Sequence, residues 1–123
     1  MPVLRAAVLL AAAASSFQPV SAAHAGEGDA VRGERAFQRC YSCHSVDPNE
    51  TAQLQGPSLF RIMGRPAAAV AAFEYSDALN TKGAAGLVWS AETLDRFIAD
   101  PDGFVPGTLM VLPPLSDEQE RAD

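Results

Sequence analysis

Cys40-Tyr41-Ser42-Cys43-His44 is the stretch on which the reading of this chain turns. Two cysteines three apart, followed at once by a histidine, form the attachment pattern of a c-type haem. The two thiols add across the two vinyl groups of the macrocycle and become thioethers. The two residues between them let one helical turn present both sulfurs along a single edge. The next residue then sets an imidazole under the iron, and neutral imidazole suits iron.

Other uses of the same residues fail on supply. A structural zinc site takes four Cys or His ligands, and the whole chain has 2 Cys and 2 His. Of these, His24 falls in a segment expected to be removed. A thioredoxin-like pair belongs at a helix start within a βαβ pattern, whereas the sequence here is helical and loop-rich. A plain disulfide has no need of His44. Haem attachment leads, with a redox dithiol second and zinc third.

Upstream, residues 1–25 read as a secretory signal. Arg5 precedes an alanine-rich apolar run from Ala6 to Ala14, and Ala23-His24-Ala25 supplies small residues for cleavage after Ala25. The run is shorter than the 18 or so apolar residues a membrane span needs. Residues 26–123 then make one domain with a modest core, and a covalent haem would fill much of its interior. Formal charge is −6 over the 123 residues, and loss of Arg5 makes the remainder more acidic. Such a chain has no general attraction for nucleic acid or for an anionic membrane.

Around the motif the pattern is one of short helices. Asp29 can cap a helix from Ala30 to Cys40, with Ala30, Gly33 and Phe37 near one face. Gly33 is either a tolerated glycine or a point of close helix approach, and its spacing with Phe37 favours the second. Residues 45–56 are polar and turn-like. Gly56-Pro57 leads to the apolar run Leu59, Phe60, Ile62, Met63. Ala67 to Ala72 is weakly helical, Ser76 can cap a single turn, and Lys82 to Gly86 reads as a loose loop. Trp89, the 1 Trp of the chain, precedes Ser90, which caps a helix from Ala91 to Asp100 with Leu94, Phe97 and Ile98 as its apolar stripe. Asp100-Pro101 stops that helix. Met110 follows on a Pro-Gly loop far enough past His44 to reach the other haem face. On spacing alone Met110 and Met63 both stay open as a sulfur ligand, with Met63 the better core filler.

Taken together, Gly28-Asp29, Gly33, Phe37, Cys40 to His44, Gly56-Pro57, Gly64-Arg65, Tyr75 to Ala78, Lys82-Gly83, Trp89, Glu92 to Leu94 and Pro106 to Met110 resemble the class I c-type cytochromes, of the mitochondrial-like, small soluble bacterial type. The resemblance implies an all-α cytochrome c fold of short helices and loops round one covalent haem c. Cys40 and Cys43 would carry the thioethers, and His44 and Met110 would be the axial ligands. The Pro57 carbonyl would orient His44. Arg65, Tyr75 and Trp89 would hydrogen-bond a propionate, with Ser76 and Thr108 nearby. Read without the family, these five are ordinary loop polarity.

Four positions depart from that family. Leu109 stands where mitochondrial members carry lysine, Phe97 where many carry tyrosine, and Leu79 where asparagine is common. Ala84-Ala85-Gly86 lengthens the loop before Trp89. At the end of the chain, Ser116 is expected to cap a helix with Gln119 in the capping-box position. That helix is cut short relative to the family, leaving Gly33 and Phe37 without their usual partner. An isolated helix of this length is unstable in water.

The function implied is one-electron transfer by an exported, periplasmic carrier, without substrate chemistry and without stable membrane insertion once the signal is removed. Its partners would be redox proteins: a quinol-cytochrome c oxidoreductase, a terminal oxidase, a photosynthetic reaction centre or a periplasmic dehydrogenase. With Lys82 as its single lysine and an acidic balance, the chain fits a partner that accepts an acidic carrier. The rival readings are an open-coordination haem protein with peroxidase-like or ligand-sensing behaviour, and a non-functional truncated cytochrome.

Overall fold

The computed structural model describes residues 28–123, so the expected signal segment and its cleavage point lie outside the described residues. The described chain is all-α: α1 Ala30–Ala36, α2 Asp77–Ala84, α3 Ala91–Ala99, α4 Pro101–Phe104 and α5 Glu118–Ala122, joined by long loops. No helix among these residues is long and apolar enough to cross a membrane.

Asp29 starts α1, its carboxylate accepting the Arg32 N–H at 2.9 Å. The α-helix expected as far as Cys40 stops at Ala36. A 3₁₀ turn over Phe37–Arg39 replaces its end, and the Cys40 N–H donates to Phe37 O at 2.8 Å. The tighter winding delivers Cys40 directly into the next turn.

Ala67 to Ala72 is not helical. Its first residue is drawn into a pairing that begins just before it: Gly64 N–H donates to Trp89 O at 2.7 Å, Trp89 N–H to Arg65 O at 2.9 Å, and Ala67 N–H to Leu87 O at 2.8 Å. An isolated antiparallel bridge joins Pro66 and Val88, and Ala68 turns away at φ 57°. Long-range pairing overrides a weak helical preference here.

Ser76 caps more than a single turn, accepting the Leu79 N–H at 3.1 Å. The resulting α2 absorbs Lys82, Gly83 and Ala84, so most of the loose loop is helix. At α3 the cap is reciprocal. Thr93 N–H donates to Ser90 Oγ at 3.2 Å, and Ser90 N–H to Thr93 Oγ1 at 2.8 Å. Asp100 then caps α4 through the Gly103 N–H at 3.0 Å.

The last helix differs from expectation in two respects. Its cap is Asp117, which accepts the Glu120 N–H at 2.9 Å, and not Ser116. Short as it is, α5 also packs on α1, so Gly33 does have a partner. A Cβ at Gly33 would collide with the Asp123 carbonyl. Ion pairs Arg32–Asp123, Arg39–Glu120 and Arg121–Asp95 fasten it, and Arg121 also donates to Leu115 O at 2.7 Å. Tertiary contacts supply what a five-residue helix lacks alone.

The buried core gathers Ala67, Trp89, Phe97 and Val105, with Ile62, Leu79, Leu94, Phe104 and Met110 among the half-buried residues against it. The Trp89 and Phe97 rings lie 5.2 Å apart, and Phe97 and Phe104 6.3 Å. Phe97, one of the four departures, is therefore an aromatic hub at 6% exposure.

Candidate haem site

Cys40 to His44 forms a helical turn. Cys43 N–H donates to Cys40 O at 3.0 Å and His44 N–H to the same carbonyl at 2.9 Å. Both cysteines are free and half-buried. Burial pushes the Cys40 thiol up from its ordinary range, while Arg39 pulls it down more weakly. Cys43 Sγ lies 3.6 Å from Gln55 Oε1. Among the described residues no group of three or more His, Cys, Asp or Glu gathers as a metal cluster.

His44 is set by the loop that follows it. Gly56 N–H donates to Cys43 O, and Leu59 N–H to Ser45 O, each at 2.8 Å. This doubling-back brings the Pro57 carbonyl to 2.7 Å from His44 Nδ1. A carbonyl only accepts, so Nδ1 carries the proton and Nε2 keeps its lone pair. Gly56 lies against the ring, and any Cβ there would collide with the imidazole. The pairing of Gly56 with Pro57 thus has two tasks, room for the ring and an acceptor for it. The dipeptide is visible in the sequence, but the cradle role of Gly56 is not.

Met110 is half-buried and packs against the aromatic core, with its N–H donating to Thr108 Oγ1 at 3.2 Å. Met63 is not core filler; it is 59% exposed. An apolar run bounded by Gly64 gave no sign of which side chain would face out. Leu109 and Val111, beside Met110, are 75% and 95% exposed.

Four of the five polar residues assigned to a propionate have local hydrogen-bond partners. Arg65 donates to Ser58 O at 2.7 Å and to Phe60 O at 3.1 Å. Tyr75 Oη accepts the Val70 N–H at 3.3 Å, and burial pushes its phenol up, so it keeps a proton to donate. Ser76 caps α2, Thr108 holds the Met110 backbone, and Trp89 is buried in the core. The Ser58 and Phe60 carbonyls that hold Arg65 carry no sequence signal, because any residue offers a carbonyl.

The donor set fits a haem: two thiols and an imidazole on one turn, a thioether on a distant loop, and an apolar core beside it. A phenol and a guanidinium are also available for a carboxylate.

The chain is similar to known cytochromes over most of its length. The chain is 42% identical over 97 residues to cytochrome c 2.1 of Caenorhabditis briggsae, covering 78% of this chain and 82% of the relative. It is 39% identical over 103 residues to cytochrome c2 of Rhodomicrobium vannielii, covering 84% and 79%. The solved structure of cytochrome c2 from Rhodospirillum centenum superposes with a TM-score of 0.73 at 34% identity, covering 78% of this chain and 92% of that one. No family model matches the chain.

Proposed function

The chain belongs to the class I c-type cytochromes, and on that premise we propose that it carries single electrons on one covalent haem c between redox proteins. The observation that carries this reading is the Cys40–His44 turn with His44 Nδ1 held on the Pro57 carbonyl. Cys40 and Cys43 would hold the group, and His44 and Met110 would ligate it. When bound, the haem supplies the ferrous–ferric couple.

The protein's own residues do the rest. Pro57 fixes the His44 tautomer and ring plane, which makes Nε2 a better ligand. Thr108 and the aromatic core hold the Met110 loop, and a thioether there would raise the reduction potential. Tyr75 keeps its proton and can donate it to a propionate. Arg65 adds a positive charge, and Trp89, Ser76 and Thr108 shape the surroundings. As a member of the class I c-type cytochromes the protein is an electron carrier and not an enzyme. We place it in the periplasm after removal of residues 1–25. Its partners there are respiratory, photosynthetic or dehydrogenase complexes.

The test is the ferric absorption spectrum of protein produced where haem attachment is available. The expected result is a haem-staining band and the weak long-wavelength charge-transfer band of Met sulfur on iron. Met110→Ala should lose that band while keeping the haem. Attached haem with no such band in the unaltered protein would replace the carrier by the open-coordination reading. No attached haem at all would leave a non-functional cytochrome.

A further inference from the structure

Met63 is an apolar side chain that the backbone is bent to turn outward. It is 59% exposed, while its neighbour Ile62 is half-buried against the core. The residues on either side of this pair are left-handed, with φ 52° at Arg61 and 77° at Gly64. Gly64 enters that region freely, but for Arg61 it carries a steric cost. Strain of this kind persists only where the surrounding structure holds it.

The turn is held on three sides. Ile62 N–H donates to Leu59 O at 3.1 Å, Arg65 N–H to Ile62 O at 3.0 Å, and Gly64 N–H to Trp89 O at 2.7 Å. It also stands clear of the rest of the molecule, because a Cβ at Gly64 would meet nothing within 4 Å. The thioether of Met63 is therefore presented to solvent from a fixed backbone. Met110 contrasts with it, half-buried against the aromatic core.

We propose that Met63 is a site of reversible oxidation by peroxides. A sulfur lone pair takes one oxygen of the peroxide as the O–O bond breaks. The hydrogen on that oxygen passes to the departing one, which leaves as water. Sulfur is oxidised by two electrons to the sulfoxide, and the peroxide is reduced. The sulfoxide is polar, and at Met63 it forms where the side chain already meets water, so the fold tolerates it. The same change at Met110 would put a polar group against the core. Sulfoxide reductases return the thioether, so the exposed sulfur can take up oxidant repeatedly without loss of structure. This inference does not depend on the carrier reading.

The experiment treats the haem-loaded protein with hydrogen peroxide and follows its tryptic peptides by mass over time. Residues 62–82 contain Met63, and residues 97–121 contain Met110, with no other methionine in either. The 62–82 peptide should gain a single oxygen several times faster than the 97–121 peptide, because oxidation follows exposure. The denaturant midpoint should not move while it does so. Methionine sulfoxide reductase with a thiol reductant should restore the original mass. Met63→Leu should abolish the early uptake and leave the rate at 97–121 unchanged. Equal rates at the two peptides, faster uptake at Met110, or unfolding in step with Met63 oxidation would each overturn the assignment. The peptide masses are read apart from the Met–iron band, so failure of ligation at Met110 and failure of this proposal are distinguishable.

Discussion

The loops that present His44 and Met110 are held by different forces. His44 is fixed by hydrogen bonds over a short span of chain: Gly56 to Cys43, Leu59 to Ser45, and Pro57 to the ring itself. The Met110 loop is tied only on the side before its methionine, by Gly107 N–H to Asp102, Thr108 N–H to Val105 O and Met110 N–H to Thr108, and otherwise leans on the aromatic core. The neighbours of Met110, Leu109 and Val111, face solvent, and the chain is next anchored where Leu115 N–H donates to Ile98 O at 3.2 Å. One side of the site is set by stereochemistry, the other by packing. Backbone crowding should therefore damage the His side, and core cavities the Met side.

The largest effect should come from Gly56→Ala. The added methyl cannot share space with the imidazole; overpacking costs about 1–3 kcal/mol, occasionally more, and here it displaces the His44 ring itself. The ratio of haem to protein absorbance should fall steeply. A Gly56→Ala protein with full haem content would show that the His44 loop yields easily, and the contrast would collapse.

Next comes Phe97→Ala. It removes a ring packed against Trp89 and Phe104, at an expected cost of about 3–5 kcal/mol. The Met–iron band should weaken while the haem stays attached. Loss of His44 ligation with the band preserved would reverse the assignment of forces.

The sequence made the two sides legible to different degrees. The attachment motif and Gly56-Pro57 are local patterns, because each acts within a few residues of itself. Asp29, Ser76 and Ser90 were readable for the same reason: a cap needs only its own helix. What stayed hidden depends on remote chain. Ala67 to Ala72 is not helical, because the chain from Gly64 to Ala67 pairs with Leu87 and Trp89 instead. Met63 faces solvent through a turn that periodicity does not encode. α5 is held because Arg32 on α1, Arg39 on the 3₁₀ turn after it and Asp95 on α3 reach it. Phe97 was read as a departure from a family. Its packing against the Trp89 and Phe104 rings explains why an apolar residue belongs there.

Ser90→Ala sharpens the contrast from outside both loops. It removes one half of the α3 capping box, which should cost about 1 kcal/mol, seen as a lower denaturant midpoint at constant slope. Because α3 carries Phe97, the Met–iron band should be lost at lower denaturant than in the unaltered protein, in step with unfolding. Earlier loss of the His44 signal would show that capping reaches the wrong side.

The smallest effect lies at the α1–α5 contact, which touches neither the His44 loop nor the Met110 loop. Arg32 donates to the Asp123 carboxylate at 2.7 and 2.8 Å, and this pairing holds the carboxyl well below its ordinary value of 3.8. The fold therefore favours the ionised form. Its contribution is present above the unfolded carboxylate range and is lost as pH falls through the lower folded value. Asp123→Asn should flatten the acid limb of stability against pH below about pH 4 and leave neutral stability only slightly reduced. The Met–iron band at pH 7 should not change. If acid sensitivity persists unaltered in Asp123→Asn, the Arg32–Asp123 pairing is not its source.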